Sequence, residues 1–521
     1  MDTRRILSLV LLICVFFFSC STETRVPFPE GTAAWGGRIS DGSMMPYSQG
    51  FEADLRENRS NQVAPLLLLS DGTFVWSDTP FSFRVEKKAL VIDGKVEVTK
   101  AGTTLSDAYR AASKAHFPPS GELPPPAFYR APQYNTWIEL MYDQNQEGVL
   151  AYANGILSHG LPPGIIMIDD TWQEDYGKWD FHPGKFSNPR AMCDSLHSMG
   201  FKVMLWICPF VSMDQYLICQ EIESFNGFLE APDRNPYPVR WWNGTSAVLD
   251  LSNPRTVAWF NGRLHNLMET YGVDGFKFDA ADFEYYPPDA VSAGGNVPGW
   301  EQCSLFVQMA SQYPFNELRA GWRNAGKPVV QRLHDKAHSW EDLAKLVPEM
   351  LAEGLMGYGF SCPDMVGGGD FQTFLSGEID QEIIVRSAQV HALMPMMQFS
   401  LAPWRVLSDE NYAAVRKAVD LRNSFMPYIE SLYHRAAEEG EPIVAPLEYY
   451  FPHEGLAAVK DQFMLGDRIL VAPMLNPGTS RNVLLPSGAW KADDGNIYEG
   501  GRSITIIVPV DRLPYFEKIA D

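Results

Sequence analysis

Two aspartates, Asp279 and Asp335, each close an apolar run of strand length. Val273-Asp274-Gly275-Phe276-Lys277-Phe278-Asp279 alternates apolar residues before presenting its acid, and Asp335 follows Val329-Val330-Gln331-Arg332-Leu333-His334 in a similar setting. A carboxylate at the end of a buried strand costs several kcal/mol unless it is paired or hydrogen-bonded, and function is the usual reason to bear that cost. Two such acids at neighbouring strand ends can serve as nucleophile and general acid in glycoside hydrolysis, about 5 Å apart in a retaining enzyme. Asp169 and Asp170 follow a third run, Gly164–Ile168, and Trp206 lies near the end of a fourth, Phe201–Cys208. Acidic residues also follow barrel strands as helix N-caps, so spacing alone leaves both readings open.

The elements that must position these residues alternate in type. Strand candidates Gly164–Ile168, Phe201–Cys208, Gly275–Asp279, Pro328–Leu333 and Leu355–Phe360 are interleaved with helical patterns at Glu147–Ser158, Pro189–Met199 and Pro254–Tyr271. This predicts an α/β architecture, a (β/α)8 TIM barrel over residues 128–435, whose active site forms at the C-terminal ends of its strands. Before it, short β-rich runs with Asp71-Gly72 and Asp93-Gly94 turns predict an N-terminal β-sandwich over 26–120, and the proline-rich segment from Phe117 to Pro126 reads as a linker. After a helix from about Glu410 to Glu438, strands return in 436–521 as one or two C-terminal β-sandwich modules.

The chain of 521 residues carries 64 acids against 42 Lys and Arg, a formal net charge of −22. No basic stripe follows the first five residues, which disfavours nucleic acid as a partner. Aromatic residues make up 12% of the chain, a supply suited to sugar recognition and also to a large core. Residues 1–20 read as a secretory leader: Arg4-Arg5, an apolar run from Ile6 to Phe18, then Ser19-Cys20. Cys20 is the expected lipidation site of a bacterial lipoprotein, exported across the inner membrane and held in the periplasm or at the outer membrane, with the lipid as its one membrane contact. Beyond Cys14 and Cys20 of the leader, the remaining five cysteines form no C-x-x-C pair, so neither a zinc ribbon nor a disulfide framework is indicated.

The strings GFKFDAAD (275–282), WWNGTSAVLDLSNP (241–254), GLMGYGFSCPDMVGGG (354–369) and QFMLGDRILVAPMLNPGTSRNVLLPSGAW (462–490) resemble glycoside hydrolase family 31. The motifs occur in the family's order from Gln133 to Phe516. PQYNTWIEL (132–140), IDDTW (168–172), LRAGWR (318–323) and MQFSLAPWR (397–405) are similar to the branch with the myogenesis-regulating glycosidase and bacterial α-galactosidases. The resemblance implies Asp279 as nucleophile and Asp335 as general acid/base. It implies Asp169 and Asp170 as ligands for hydroxyls at the far side of the ring, and Trp206 with Trp241 or Trp242 as apolar walls. Lys277 would lie beside the sugar and help hold Asp279 ionised, Arg319 would contact the substrate, Arg323 would join it or pair with a structural carboxylate, and Asp364 would support the pocket wall. No cofactor and no metal is implied. His334 and His338 flank Asp335 without a third ligand, Glu341 and Asp342 fit a helix start, and the methionines at 394, 396 and 397 fit core packing.

The departures matter for specificity. The histidine that many family α-glucosidases carry near Gln398-Phe399-Ser400 is absent, Asp282 stands where Glu is usual, and Ala337 replaces a second acid of the branch. The expected function is a retaining exo-α-glycosidase, with terminal α-galactosides preferred. An α-glucosidase or α-xylosidase is the alternative within the family, and a catalytically silent carbohydrate-binding lipoprotein is the alternative outside enzymes. Oligomeric state is left open.

Overall fold

The computed structural model describes residues 23–57, 61–375 and 378–519; the leader and Cys20 lie outside them. Eight parallel strands form the central sheet: β1 (Gln133–Asn135), β2 (Ile165–Ile168), β3 (Lys202–Ile207), β4 (Gly275–Phe278), β5 (Phe315–Leu318), β6 (Val330–Arg332), β7 (Ser361–Cys362) and β8 (Gln398–Phe399). Their order is β7-β6-β5-β4-β3-β2-β1-β8, a barrel nearly closed. A single bond from Val366 N to Gln398 O, 2.7 Å long, links the chain after β7 to β8.

The crossover helices begin where local chemistry dictates. Asn188 and Asn253 cap Pro189–Ser198 and Pro254–Tyr271, each with proline in the first turn, where its missing N–H costs nothing. Ser339 caps Trp340–Leu355, so Glu341 and Asp342 sit in a first turn. That helix corrects one expectation. Leu355–Phe360 is not a strand, because the helical spacing of Leu343, Leu346, Val347, Met350 and Leu351 runs on to Leu355, and β7 starts only at Ser361.

The N-terminal region forms two sheets. Glu23–Pro27, Ala89–Asp93, Ser82–Val85 and Glu52–Asp54 make one; Ala34–Arg38, Gln62–Leu69, Thr73–Trp76 and Glu97–Lys100 make the other. The second sheet gains a strand from the barrel: Gly321–Trp322, just after β5, pairs in parallel with Gln62–Val63. At the C-terminus a six-stranded sheet and the two-stranded antiparallel sheet of Ser480–Leu485 and Arg502–Ile507 share one core around Trp490, Phe516, Val483 and Ile506. The five cysteines among the described residues are free and buried.

β4 and β5 approach closely because β4 begins with glycine. A Cβ on Gly275 would fall 2.1 Å from the Phe315 carbonyl oxygen. Gly275→Ala is therefore expected to destabilise the chain by about 1–3 kcal/mol, read as a lower urea midpoint; an unchanged midpoint would show that the strands have room to part.

Candidate active site

The C-terminal ends of the strands enclose a cavity of about 320 Å3 lined by Trp137, Tyr142, Asp169, Asp170, Trp206, Trp242, Lys277, Asp279, Arg319, Asp335, Asp370, Phe371 and Gln372. β4 delivers Asp279. Its Oδ2 accepts from Trp206 Nε1 at 2.8 Å, its Oδ1 accepts from Ala280 N at 2.8 Å, and Arg319 Nε lies 3.3 Å from Oδ1. The turn that supplies the Ala280 N–H holds Ala280 and Ala281 at φ of 58° and 64°, a left-handed conformation that costs non-glycine residues energy and clusters at functional sites. Burial opposes ionisation of Asp279, yet Arg319, then Lys277 and Arg332, and the Trp206 hydrogen bond hold its carboxyl well below the usual range. Lys277 itself bonds Asp169 Oδ2 at 2.6 Å. Lys277 helps to hold Asp279 ionised from its place on Asp169, and Arg319 acts more strongly.

β2 ends in Asp169 and Asp170, both buried. Asp170 accepts from Tyr176 OH at 3.1 Å, Thr171 N at 2.7 Å and Asn243 Nδ2 at 2.5 Å. Burial, and then the neighbouring charge of Asp169, push its carboxyl up to about 7. Asn243 and Trp242 form the tip of the hairpin Pro238–Trp241/Gly244–Val248. Trp242 is 43% exposed and stacks its ring 4.9 Å from the Arg319 guanidinium, whereas Trp241 is buried against Trp206. Of the two tryptophans, Trp242 is the one that lines the cavity.

Asp335 differs from Asp279 in reaching solvent: its side chain is 37% exposed. Arg332, buried within β6, bonds Asp335 Oδ1 at 2.8 Å and Asp364 Oδ1 at 3.3 Å, and pairs with Glu317 at 3.5 Å. Gly369 packs on both acids; a Cβ there would lie 2.8 Å from Asp364 Oδ1 and 3.0 Å from Asp335 Oδ1.

Two of the predicted site residues lie outside the cavity. Asp364 is fully buried behind Arg332, with Lys336 N donating to its other oxygen, so it supports the wall and does not meet the cavity. Arg323 follows the Gly321–Trp322 strand into the N-terminal sheet and donates to the Asp78 carbonyl at 2.5 Å, away from the site. The residues not anticipated as site residues are Trp137, Tyr142, Asp370, Phe371 and Gln372 at the mouth, and Arg332, Tyr176 and Asn243 beneath it. Arg332 left a signal, a charge inside an apolar strand; the mouth residues come from loops with no periodic pattern.

Residues 124–432 match the glycosyl hydrolases family 31 TIM-barrel domain, and residues 440–519 match the family's C-terminal domain. The fold and its cavity are thus those of a glycoside hydrolase barrel, and the chain belongs to glycosyl hydrolase family 31. It is 32% identical over 431 residues to the myogenesis-regulating glycosidase of Mus musculus, covering 80% of this chain and 60% of that protein. It is 26% identical over 409 residues to alpha-glucosidase 2 of Bacillus thermoamyloliquefaciens, covering 72% and 51%. The chain therefore spans little more than half the length of these relatives. In fold it is similar to a Flavobacterium johnsoniae GH31 dextranase complexed with glucose, with a TM-score of 0.85 at 18% identity over 95% of this chain and 66% of that one. A GH31 alpha-xylosidase from a soil metagenome complexed with xylose gives 0.81 at 20% identity over 96% and 79%.

The raised carboxyls make stability depend on pH. Burial also lifts Asp282 to about 6 against the pull of Arg319. Between their ordinary value near 3.8 and these raised values, the unfolded chain releases protons that the fold keeps, so stability falls as pH rises from about 4 to 7. Melting temperatures from pH 4.5 to 7.5 are expected to show this decline, and Asp170→Asn to make it shallower; an equal slope in the variant would contradict the state assigned to Asp170.

Proposed function

We propose that the chain is a retaining exo-α-glycosidase acting on terminal α-linked sugars, α-galactosides first among them. The observation that carries the reading is the unequal treatment of two acids facing one cavity: Asp279 is buried and held ionised by Arg319, while the Asp335 side chain is 37% exposed and paired with Arg332. Such a division of environments assigns base and acid roles.

In the first step a carboxylate oxygen of Asp279 attacks the anomeric carbon while the glycosidic C–O bond breaks. Asp335 gives its proton to the departing oxygen. With Arg332 on Oδ1, Oδ2 is the oxygen that carries the proton. In the second step Asp335, now ionised, takes a proton from water whose oxygen attacks the same carbon; the ester opens, Asp279 is released, and the anomeric configuration is retained. The cavity volume is at the low end for small-molecule sites, which favours one terminal sugar. Asp169, Asp170 and Lys277 offer hydrogen-bond partners to its hydroxyls. The galactoside preference rests on the missing histidine near Gln398 and on the motifs shared with the α-galactosidase-containing branch. Gln398 is engaged in the barrel core, bonded to Gln133 and Glu317 at 3.0 and 2.9 Å.

Release of aryl aglycones from α-galactosides, α-glucosides and α-xylosides, with anomeric NMR of the first-formed sugar, tests the reading. Turnover is expected to be highest on the galactoside, with retention, and Asp279→Ala is expected to lower it by at least about 10^4-fold, a typical loss for a group essential to the reaction. Asp335→Ala is expected to cost most with poor leaving groups. Preference for a glucoside or xyloside would move the specificity within the family, an inverted product would remove the nucleophile role, and no turnover on any α-glycoside would favour a silent sugar-binding protein.

A further inference from the structure

The two central carboxylates are each held by an arginine: Arg319 lies 3.3 Å from Asp279 and Arg332 lies 2.8 Å from Asp335. Arg332 ends β6 and Arg319 directly follows β5. The ladder between these strands is short, pairing only Glu317 with Val330 and Leu318 with Gln331. Beyond it the two chains diverge, and the main-chain carbonyls of both arginines are bridged by adjacent side chains of the N-terminal sheet. Gln62 Nε2 donates to Arg319 O at 2.8 Å and reaches Arg332 O at 3.4 Å. Asn61 Nδ2 donates to Arg332 O at 3.0 Å and reaches Arg319 O at 3.5 Å.

The same pair grips the chain on either side of Arg332. Gln62 Nε2 donates to Gln331 Oε1 at 2.7 Å. Asn61 Oδ1 accepts from His334 N at 3.0 Å and faces His334 Nδ1 at 2.6 Å, one residue before Asp335. A carboxamide oxygen only accepts, so that contact fixes the proton on Nδ1. The Lys336 ammonium lies 3.2 and 3.3 Å from the two ring nitrogens and donates to the His334 carbonyl at 3.0 Å. Asn61 and Gln62 are both fully buried, and the strand pair Gly321–Gln62 and Trp322–Val63 anchors them to the chain leaving Arg319. Asn61 has a φ of 66°, a left-handed conformation that asparagine tolerates better than most residues.

We propose that Asn61 and Gln62 are positioning residues that set the separation of Asp279 and Asp335 by fixing the two arginine carbonyls against each other. The N-terminal sheet, which precedes the residues matched to the family, is then part of the catalytic apparatus. The inference rests on the two-carboxylate reading above. Its physical basis is that reacting groups misplaced by about 1 Å can lose about 10^2-fold in rate, and here no ladder bond holds the gap.

Gln62→Met removes one bridging donor at similar volume. Asn61→Gly removes the other at a backbone angle glycine accepts, and Asn61→Asp keeps the acceptor for His334 while losing the donor to Arg332. In variants whose unfolding remains cooperative, kcat/KM is expected to fall about 10^2-fold for aryl glycosides with poor leaving groups and much less for activated ones, with the basic limb of the pH profile displaced. A loss equal across leaving groups, or no loss, overturns the proposal. Crystal structures of the same variants decide it independently of turnover. An Asp279–Asp335 separation changed by about 0.5 Å or more, the tolerance of a working site, supports it, and an unchanged separation overturns it. If the unmodified protein cleaves no α-glycoside, the functional reading fails by itself, and the crystallographic separation still decides whether Asn61 and Gln62 position the two acids.

Discussion

The ion pair between Arg319 and Asp279 is the interaction on which the site depends, because it keeps a negative charge at the end of a strand with no exposed residue. Its setting is crowded with acid: Asp169, Asp170, Asp282, Glu317, Asp335 and Asp364 surround the cations Lys277, Arg319 and Arg332. So few positive charges cannot hold every carboxyl ionised in a medium that penalises buried charge. The fold resolves the excess by where it places each cation. Asp279 is driven down by three of them, whereas burial lifts the carboxyls of Asp170, Asp282, Glu317 and Asp364 above their ordinary range. Carboxyls held below and above the ordinary range thus sit side by side around one cavity.

The backbone stores part of the cost. Thr171 and Ala280–Ala281, just past β2 and β4, adopt positive φ. In each case the turn sends an N–H to a carboxylate: Thr171 N to Asp170, and Ala280 N to Asp279. The hairpin tip Trp242-Asn243 closes the arrangement from above, touching Arg319 on one side and Asp170 on the other. The site is therefore assembled from strand ends, two strained turns and a hairpin insertion, with the N-terminal sheet beneath its acid-bearing loop.

How much of this was legible in the sequence depends on what each strand carries. β2, β3, β4 and β6 lie in runs rich in apolar residues, and their acids and tryptophan could be read directly. β1, β5 and β8 hold Gln133, Asn135, Asn316, Glu317 and Gln398, which bond to one another or to backbone inside the barrel; a polar interior erases the hydrophobic signal that marks a buried strand. β7 is two residues long and follows a helix whose apolar end imitates a strand. In the site, Asp169, Asp170, Asp279, Asp335 and Arg319 are legible from strand ends and family motifs, and Asp370 is not. Arg323 faces Asp78 and not the cavity because the strand before it joins the N-terminal sheet, which only the structure reveals, and Asp364 supports the wall behind Arg332. Asn61 and Gln62 lie far from the barrel in sequence, and nothing local marks them.

The central claim is that Asp279 becomes bonded to the sugar, and trapping the intermediate tests it most directly. A slowly turned-over 5-fluoro-α-galactosyl fluoride, followed by proteolysis and mass spectrometry, is predicted to leave one sugar on the peptide bearing Asp279 and to inactivate the enzyme in step with labelling. Label on Asp335, on Asp169 or on any other residue would contradict the account, as would turnover without a trapped ester and with inversion at the anomeric carbon.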